Sequence, residues 1–486
     1  MEITKNLVVK SFIWKLLERF SIQFVSLAIT LVLARILGPE DYGLVSIITV
    51  FVNLSYVIID GGLNTALIQK KHADNKDFST IFWSSIILSI LLYLLLFLLT
   101  PLIADYYSNE SIITVLRVFS IIIFFETINS IQRAYIARNM LFNKLFYSSI
   151  ISTIMAGIVG IYMAVNGYGV WALVALQLVS VIITSIILWF IVKWRPIFYF
   201  SFNRFKSLFN YGWKIFGINF LTTLYLNIRV LIIGKVYSPS TLAFFERGHS
   251  LTGLIMQNVN SSLQTVLFPA LSNKQDNMIE VKNMVRRSSS LSSFFIFPML
   301  VGLIVVAEPL VILILSEKWL PAVPFIQIFS LAYMLFPMQV ANMEAIKAIG
   351  KSGVSLKIEI LKKVIETFIL IVSVIINEYA IAWGVVIFNI ICLFINLYPS
   401  VKYLNYGFKE QIKDIAHPLI SSVIMGVSVY WIIYLNISTW LMLMLQILMG
   451  IIMYGAVNYI LKTESLVYVL NYIKYSKETI NDKTEL

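Results

Sequence analysis

The sequence predicts an all-α integral membrane protein with about 14 transmembrane helices. Of its 486 residues, 59% are hydrophobic and 13% are charged, and the mean hydropathy is +0.86. A soluble domain could not bury that much apolar side chain, so lipid must be the solvent for most of the chain. Apolar segments long enough to span a bilayer follow one another through short connections, and positive charge is concentrated in alternate connections.

The first apolar segment is interpreted as a retained span and not as a signal peptide. Basic residues precede it, but it has no small-residue cleavage site and continues to about Leu37. None of the later connections could hold a folded domain outside the membrane. The predicted spans are residues 11–37, 42–69, 78–102, 110–136, 145–166, 168–193, 206–236, 240–271, 280–306, 321–349, 351–376, 379–402, 411–435 and 438–461.

The distribution of Lys and Arg predicts the orientation of the chain. Alternate connections and the tail hold 29 of the 37 Lys and Arg residues, Arg133 among them, whereas the opposite connections hold only Arg35, Lys235 and Lys318. Positive loops stay in the cytoplasm, so we expect both termini inside and an even number of spans. The net charge of +12 is therefore explained by topology, and no nucleic-acid partner is expected.

An internal repeat supports two lobes. The segment that begins WKLLERF at Trp14 and the one that begins WKIFGIN at Trp213 each form one long span, followed by Pro39 and Pro239 respectively. Both segments would run from inside to outside, and parallel repeats are typical of transporters. The predicted domains are an N-lobe at 1–193 with six spans, a cytoplasmic linker at 194–205, a C-lobe at 206–402 with six spans, two accessory spans at 403–461 and a cytoplasmic tail at 462–486.

Several kinds of chemistry find no support in the sequence. The single Cys392 excludes an intrachain disulfide, and the three histidines have no metal-ligand spacing. There is no phosphate-binding loop of the ATPase type, so we expect no cofactor and no metal. A membrane glycosyltransferase or polymerase is disfavoured, because the connections are too short for a catalytic loop, and we expect a protein that is not an enzyme.

The remaining five of the 37 Lys and Arg residues fall inside predicted spans, where a charge is costly and indicates function by default. Arg247 lies roughly 12 Å along its helix from Pro239, close to the middle of a bilayer core about 30 Å thick. The other four are Arg19, Arg117, Lys214 and Arg229, and the acidic residues at similar depth include Glu18, Asp60, Glu126 and Glu246.

The adjacent pairs Glu246–Arg247 and Glu18–Arg19 cannot neutralise themselves, because neighbours on a helix project about 100° apart. Each charge needs a partner on another helix, water or a ligand, and both a cavity function and an interhelical salt bridge remain open. His249 is interpreted as a passive residue rather than a proton switch.

Other charged positions have alternatives that the sequence leaves open. Lys214 and Arg117 lie close enough to span ends to snorkel, whereas a cavity position is favoured for Arg229. Glu126 is a candidate counter-ion or proton carrier. Asp60 precedes Gly61-Gly62, where either a cytoplasmic gate or a helix irregularity fits.

Four segments resemble the bacterial polysaccharide repeat-unit flippases of the multidrug/oligosaccharidyl-lipid/polysaccharide exporter superfamily, of the colanic-acid and teichuronic-acid type. The resemblance covers spans one to twelve. The segments are LARILGPEDYGLVSIITVF, DGGLNTALIQKK, EKWLPAVPFIQIFSLAYML and KAIGKSGVSLKIEILKKV.

This resemblance implies a bundle of two six-helix lobes around a central cavity, with two additional C-terminal helices. It also implies that the arginine of FFERG, Arg247, lines the cavity and is required for transport of a lipid diphosphate. An arginine in the first span of relatives points to Arg19. Span two here has no arginine, unlike the lipid II flippases, so a different headgroup is expected.

The predicted function is to flip undecaprenyl-diphosphate-linked oligosaccharide from the inner to the outer leaflet of the bacterial cytoplasmic membrane by alternating access. Arg247, Arg19, Arg229, Lys214 and Glu246 would bind the substrate, and Asp60, Glu126 and Arg117 would serve gating or ion coupling. Expected partners are the lipid-linked oligosaccharide, the bilayer, a polymerase and glycosyltransferases, for a protein that acts as a monomer. The alternative is an ion-coupled exporter of drugs or small molecules from the same superfamily.

Overall fold

The computed structural model describes residues 5–435, 437–468 and 471. Within the helices, the side chains of residues 5–9, 12 and 258–265 fall outside this description, as does most of the predicted tail. The described residues form helices joined by short turns, and they contain no strand. The all-α prediction is confirmed.

Among the described residues, nine helices precede the boundary between two compact units, Met1–Ala243 and Phe244–Leu486. They are α1 (Lys5–Ile36), α2 (Pro39–Asp60), α3 (Leu63–Gln69), α4 (Asn75–Tyr107), α5 (Ser111–Phe119), α6 (Ile122–Arg138), α7 (Phe142–Val165), α8 (Val170–Ile191) and α9 (Phe202–Val236).

The second unit begins within the first turns of α10. Its helices are α10 (Pro239–Ser272), α11 (Met278–Ile314), a 3₁₀ helix (Glu317–Ala322), α12 (Val323–Tyr333), α13 (Phe336–Ala348), α14 (Ser352–Ile376), α15 (Glu378–Leu404), α16 (Phe408–Tyr430), a second 3₁₀ helix (Trp431–Leu435) and α17 (Thr439–Ile460).

Every predicted span coincides with one helix or with consecutive helices. Among the described residues, 12 such segments are long and apolar enough to cross a membrane. The other two predicted spans correspond to α10 and α14, which have 34 and 25 residues. Charged residues crowd the first half of α14, including Lys362 and Lys363.

The predicted repeat is visible in how two helices begin. α1 ends at Ile36 and α2 begins at Pro39, while α9 ends at Val236 and α10 begins at Pro239. Proline is favourable at a first helical position, because its missing N–H would have no intrahelical partner there. Ser238 caps α10, since its Oγ accepts a hydrogen bond from the Thr241 backbone N–H at 3.1 Å.

Each unit has its own apolar core. In the first unit, Leu67, Ile81 and Leu188 have no exposed surface and belong to one cluster. In the second, Ile296, Phe297 and Leu300 are equally buried. Two separate cores are expected for two lobes, because each lobe must bury its own apolar faces to be stable.

The boundary between the units falls after α9, later than the predicted linker at 194–205. The reason is the packing of α9, which lies against α2, α3 and α4 of the first unit. At one such contact, a Cβ added to Gly234 would lie 2.8 Å from the Ile47 side chain, so α9 and α2 pack closely. The lobe limits in the sequence stay a prediction.

Candidate functional site

Arg247 is held near the start of α10 by the packing of its neighbours. It lies eight residues after Pro239 and is half-buried. A Cβ added to the next residue, Gly248, would come within 2.6 Å of Phe325, so α10 and α12 approach closely at this point. Phe245 adds edge-on contacts with Phe325 and Phe329, with ring centroids 5.8 and 5.0 Å apart.

The guanidinium of Arg247 lies over an aromatic ring. Its central carbon is 4.9 Å from the centre of the Trp319 ring, and that tryptophan is completely buried in the first 3₁₀ helix. A cation over an indole face is stabilised electrostatically, and stacking orients the flat guanidinium group. The planar fork of arginine matches phosphate oxygens two at a time, so an oriented arginine suits a diphosphate.

Two residues close to Arg247 in the sequence also lie in the first half of α10. Glu246 is half-buried. His249 contacts aromatic rings edge-on, with its centroid 5.4 Å from Phe329 and 6.0 Å from Tyr333. These contacts pack the imidazole against α12, and the passive role of His249 and the proposed roles of Glu246 and Arg247 stay predictions.

The remaining predicted substrate residues all lie in the first unit. Arg19 and Lys214 are exposed, and Arg229 is half-buried. The buried Glu18 finds partners away from Arg19: Lys15 Nζ lies 2.6 Å from its carboxylate, and Ser149 of α7 donates to it at 3.4 Å. The charge next to Arg19 is thus compensated within the first unit, and binding by Arg19, Lys214 and Arg229 stays a prediction.

Arg117, a predicted gating residue, contacts two residues of α4. Its guanidinium carbon lies 4.0 Å from the centre of the Phe97 ring, and its Nε donates a hydrogen bond to Thr100 Oγ1 at 3.0 Å. These contacts join α5 to α4. They give Arg117 a structural role beside the gating role, which stays a prediction.

Asp60 lies at a break between two helices. α2 ends at Asp60, Gly61 and Gly62 adopt left-handed conformations with φ of +50° and +69°, and α3 follows. Asn64 donates a hydrogen bond to the Asp60 carboxylate. A Cβ on Gly62 would overlap the carbonyl oxygen of Gly212, so the turn lies against the backbone of α9. A helix irregularity is present, and a gating role for Asp60 stays a prediction.

A polar cavity of about 540 Å³ lies among α1, α2, α5, α6, α7 and α8 in the first unit. Of the predicted site residues it contains Glu126. Its polar lining residues are Ser26, Thr30, Thr49, Asn53, Tyr56, Glu126, Arg133, Thr153, Gln177 and Ser180.

Glu126 forms an ion pair in this polar cavity. Its Oε2 lies 3.2 Å from Nη1 of Arg133, and the side chains are 24% and 43% exposed. The Tyr56 hydroxyl lies within electrostatic range of Glu126, Arg133 and Asp60. The two predicted coupling acids, Asp60 and Glu126, therefore share one tyrosine as an electrostatic neighbour, together with the positively charged Arg133.

Sequence reasoning missed the role of Arg133, because it grouped this residue with a cytoplasmic connection. A usable signal existed, since residues seven apart on a helix lie on one face. Arg133 follows Glu126 by that interval on α6.

Other basic residues of the connections fasten helix ends. Arg138 donates to the carbonyl oxygens of Leu67 and Lys70 at 2.8 and 2.7 Å, which satisfies the C-terminus of α3. Arg204 pairs with Asp74 and Asp77 at 2.6 and 2.8 Å. Burial raises the pKa of Asp74, but hydrogen bonds from the Asp77 backbone and from Arg204 outweigh it and hold this pKa below its usual value.

The described residues contain 12 helical segments long and apolar enough to cross a bilayer, as in a multi-pass membrane protein. The chain belongs to the family described as polysaccharide biosynthesis proteins, whose profile matches residues 32–324. The resemblance to polysaccharide repeat-unit flippases is thereby confirmed.

Two curated relatives agree with this assignment, and one solved structure has a similar fold. The chain is 22% identical over 344 residues to the succinoglycan biosynthesis transport protein ExoT of Rhizobium meliloti, covering 70% of this chain and 69% of that protein. It is 24% identical over 305 residues to the teichuronic acid biosynthesis protein TuaB of Bacillus subtilis, covering 62% of each. In fold it is similar to the lipid II flippase MurJ in an inward closed conformation, with a TM-score of 0.72 at 19% identity, covering 93% of this chain and 98% of that one.

Proposed function

We propose that this protein flips a polyprenyl-diphosphate-linked oligosaccharide from the inner to the outer leaflet of the cytoplasmic membrane by alternating access. The family and the names of its relatives support transport in polysaccharide biosynthesis. The observation that carries the finer proposal is Arg247, a half-buried arginine oriented by Trp319 inside a long membrane helix. Charged residues at membrane depth mark substrate sites by default, and the planar guanidinium of arginine matches the oxygens of a diphosphate.

The direction of flipping and the orientation of the termini rest on the positive-inside pattern. Glycosyltransferases would supply the substrate on the cytoplasmic side, and a polymerase would consume it outside. An ion gradient, the membrane potential or that consumption would drive transport. We propose a monomer as the working unit.

An ion-coupled exporter of drugs or small molecules is the alternative, and the polar cavity of the first unit is the observation in its favour. Acidic residues bind organic cations, and Glu126 lines this cavity. However, Arg133 neutralises Glu126 at 3.2 Å, which leaves the cavity a poor site for a cation. We therefore favour the flippase.

Loss of this chain is expected to stop surface polysaccharide production and to leave lipid-linked repeat units exposed to the cytoplasm. Both can be measured in a strain without the chain, by glycan staining and by labelling of the lipid-linked pool. A plasmid copy should restore export. Sensitivity to cationic dyes should stay unchanged, and increased dye sensitivity with normal glycan export would instead establish the drug exporter.

We also propose that Glu126 couples transport to a proton gradient, with Arg133 holding its carboxylate in place. Glu126→Gln is expected to reduce export several-fold and to abolish its response to a collapse of the proton gradient. Arg133→Gln should reduce export while the response persists, and the double variant should behave as Glu126→Gln does. Recovery of export in the double variant would show that the pair is purely structural, since removal of both partners relieves an unpaired charge.

A further inference from the structure

The second unit contains a pocket of about 690 Å³ that belongs to none of the sites above. It lies where the N-terminal parts of α11 and α16 meet the segment that follows α17, and we call it the basic pocket. Its lining residues are Asn283, Arg286, Arg287, Ser290, Leu291, Lys413, Asp414, His417, Pro418, Leu461, Lys462, Thr463, Glu464, Ser465 and Tyr468.

The basic pocket has an excess of positive charge. Four Lys and Arg side chains face two carboxylates, and one carboxylate is already engaged. Asp414 accepts hydrogen bonds from Nε and Nη2 of Arg286 at 2.8 and 2.7 Å. Within the part of the chain that the structure describes, the other three cations form no ion pair; these are Arg287, Lys413 and Lys462.

The walls of the basic pocket are fixed in place before any ligand arrives. The Asp414 carboxylate accepts from the Tyr406 hydroxyl at 2.5 Å, which sets its direction. Ser290 of α11 is hydrogen-bonded to Ser465 at 2.8 Å, and this ties the segment after α17 to α11. The Arg287 guanidinium lies 3.9 Å from the centre of the Tyr468 ring. Arg287 is thereby preorganised, and a preorganised cation binds an anion with little further cost of ordering.

The surroundings of the basic pocket are those of a membrane edge. It lies at the ends of three candidate spans, on the side predicted to be cytoplasmic. Leu461 lines it while remaining 42% exposed, and Ile412 and Ile460 nearby in sequence are 55% and 76% exposed. Apolar side chains next to a cluster of cations provide a surface for acyl chains beside a site for a headgroup.

We propose that the basic pocket binds the phosphate of an anionic phospholipid headgroup, with Arg287, Lys413 and Lys462 as its ligands. Basic pockets between membrane helices on the cytoplasmic side recognise such headgroups. The cations bind the phosphate while the adjacent apolar surface contacts the acyl chains. This function is additional to the proposed transport. Lipid binding alone tests it, so a negative result would leave the transport proposal unaffected.

The test uses the full-length purified chain in phosphatidylcholine bilayers that contain a minor fraction of phosphatidylglycerol. Native mass spectrometry measures how much phosphatidylglycerol stays bound. Arg287→Gln with Lys413→Gln is expected to lower its retention by about fivefold for each charge removed. If that double variant is poorly folded, Lys413→Gln alone should give about fivefold.

A matched control removes two exposed lysines elsewhere in the second unit, by Lys357→Gln with Lys402→Gln. Retention in this control should equal that of the unchanged protein. The proposal is overturned if the two double variants behave alike, or if Arg287→Gln with Lys413→Gln retains phosphatidylglycerol fully. Displacement by excess inorganic phosphate would identify a free-phosphate site, and preferential capture of an added polyprenyl diphosphate would identify a substrate site; either result also overturns the phospholipid.

Discussion

Gly43→Ala is expected to leave little folded protein in the membrane. Gly43 lies in the second turn of α2, and its backbone packs directly onto the first residue of α10. A Cβ at this position would overlap the carbonyl carbon and oxygen of Pro239 and lie 2.7 Å from its Cα. These are backbone atoms and cannot rotate away, so the two helix starts would have to separate.

Moving these two helix starts apart would also disturb the packing of other helices in the first unit. Ile47, one turn after Gly43, packs closely against α9. Its side chain lies 2.8 Å from the position that a Cβ on Gly234 would occupy. Overpacking costs about 1–3 kcal/mol where side chains can adjust, and more is expected against backbone. Since folded proteins are stable by about 5–15 kcal/mol, such a change removes a large part of the margin.

Membrane abundance and the thermal midpoint of the purified protein would measure this effect. Gly217→Ala is the control, because Gly217 is also helical but has nothing within 4 Å of an added Cβ. It should be neutral or stabilising by up to about 1 kcal/mol, since alanine is the better helix former. Equal abundance of the two variants would show that α2 and α10 do not meet at Gly43.

The helices and their order could be predicted because a bilayer requires long apolar segments, and such segments are visible in composition. The predicted span 240–271 agrees closely with α10, which begins at Pro239 and ends at Ser272. Breaks inside spans were harder to predict. No glycine or proline marks the interruption between α5 and α6, so the sequence carries no turn signal there. The break after Asp60 was anticipated only because two glycines follow it.

Partners of the candidate site could not be predicted, because they come from distant parts of the chain. The sequence indicated Arg247 by its depth in an apolar helix, but Trp319 lies 72 residues later in a different element. The grouping of α9 with the first unit had the same cause, since composition does not show which neighbours an apolar helix will choose. The Glu126–Arg133 pair is different, because both residues lie on α6 and only their assignment to separate regions concealed it.

Arg247→Ala is expected to reduce surface polysaccharide by roughly ten- to hundredfold, which is the rate equivalent of a charge-assisted hydrogen-bonding contact of about 1.5–3 kcal/mol. Arg247 lies over Trp319 on a helix that is closely packed at Gly248, so removal of its side chain should leave the fold intact. Arg247→Lys keeps the charge but loses the planar fork, and we expect about a tenfold loss.

The decisive comparison measures export at matched membrane levels, together with the amount of lipid-linked oligosaccharide that remains accessible from the cytoplasm. Lys206→Gln removes one positive charge from an exposed position at the start of α9 and should export normally. A flippase that binds its substrate through Arg247 must accumulate that substrate inside when the arginine is lost. Normal export by Arg247→Ala would exclude Arg247 from substrate binding. Equal losses in Arg247→Ala and Lys206→Gln would show that only the net positive charge matters, and not a specific contact of Arg247.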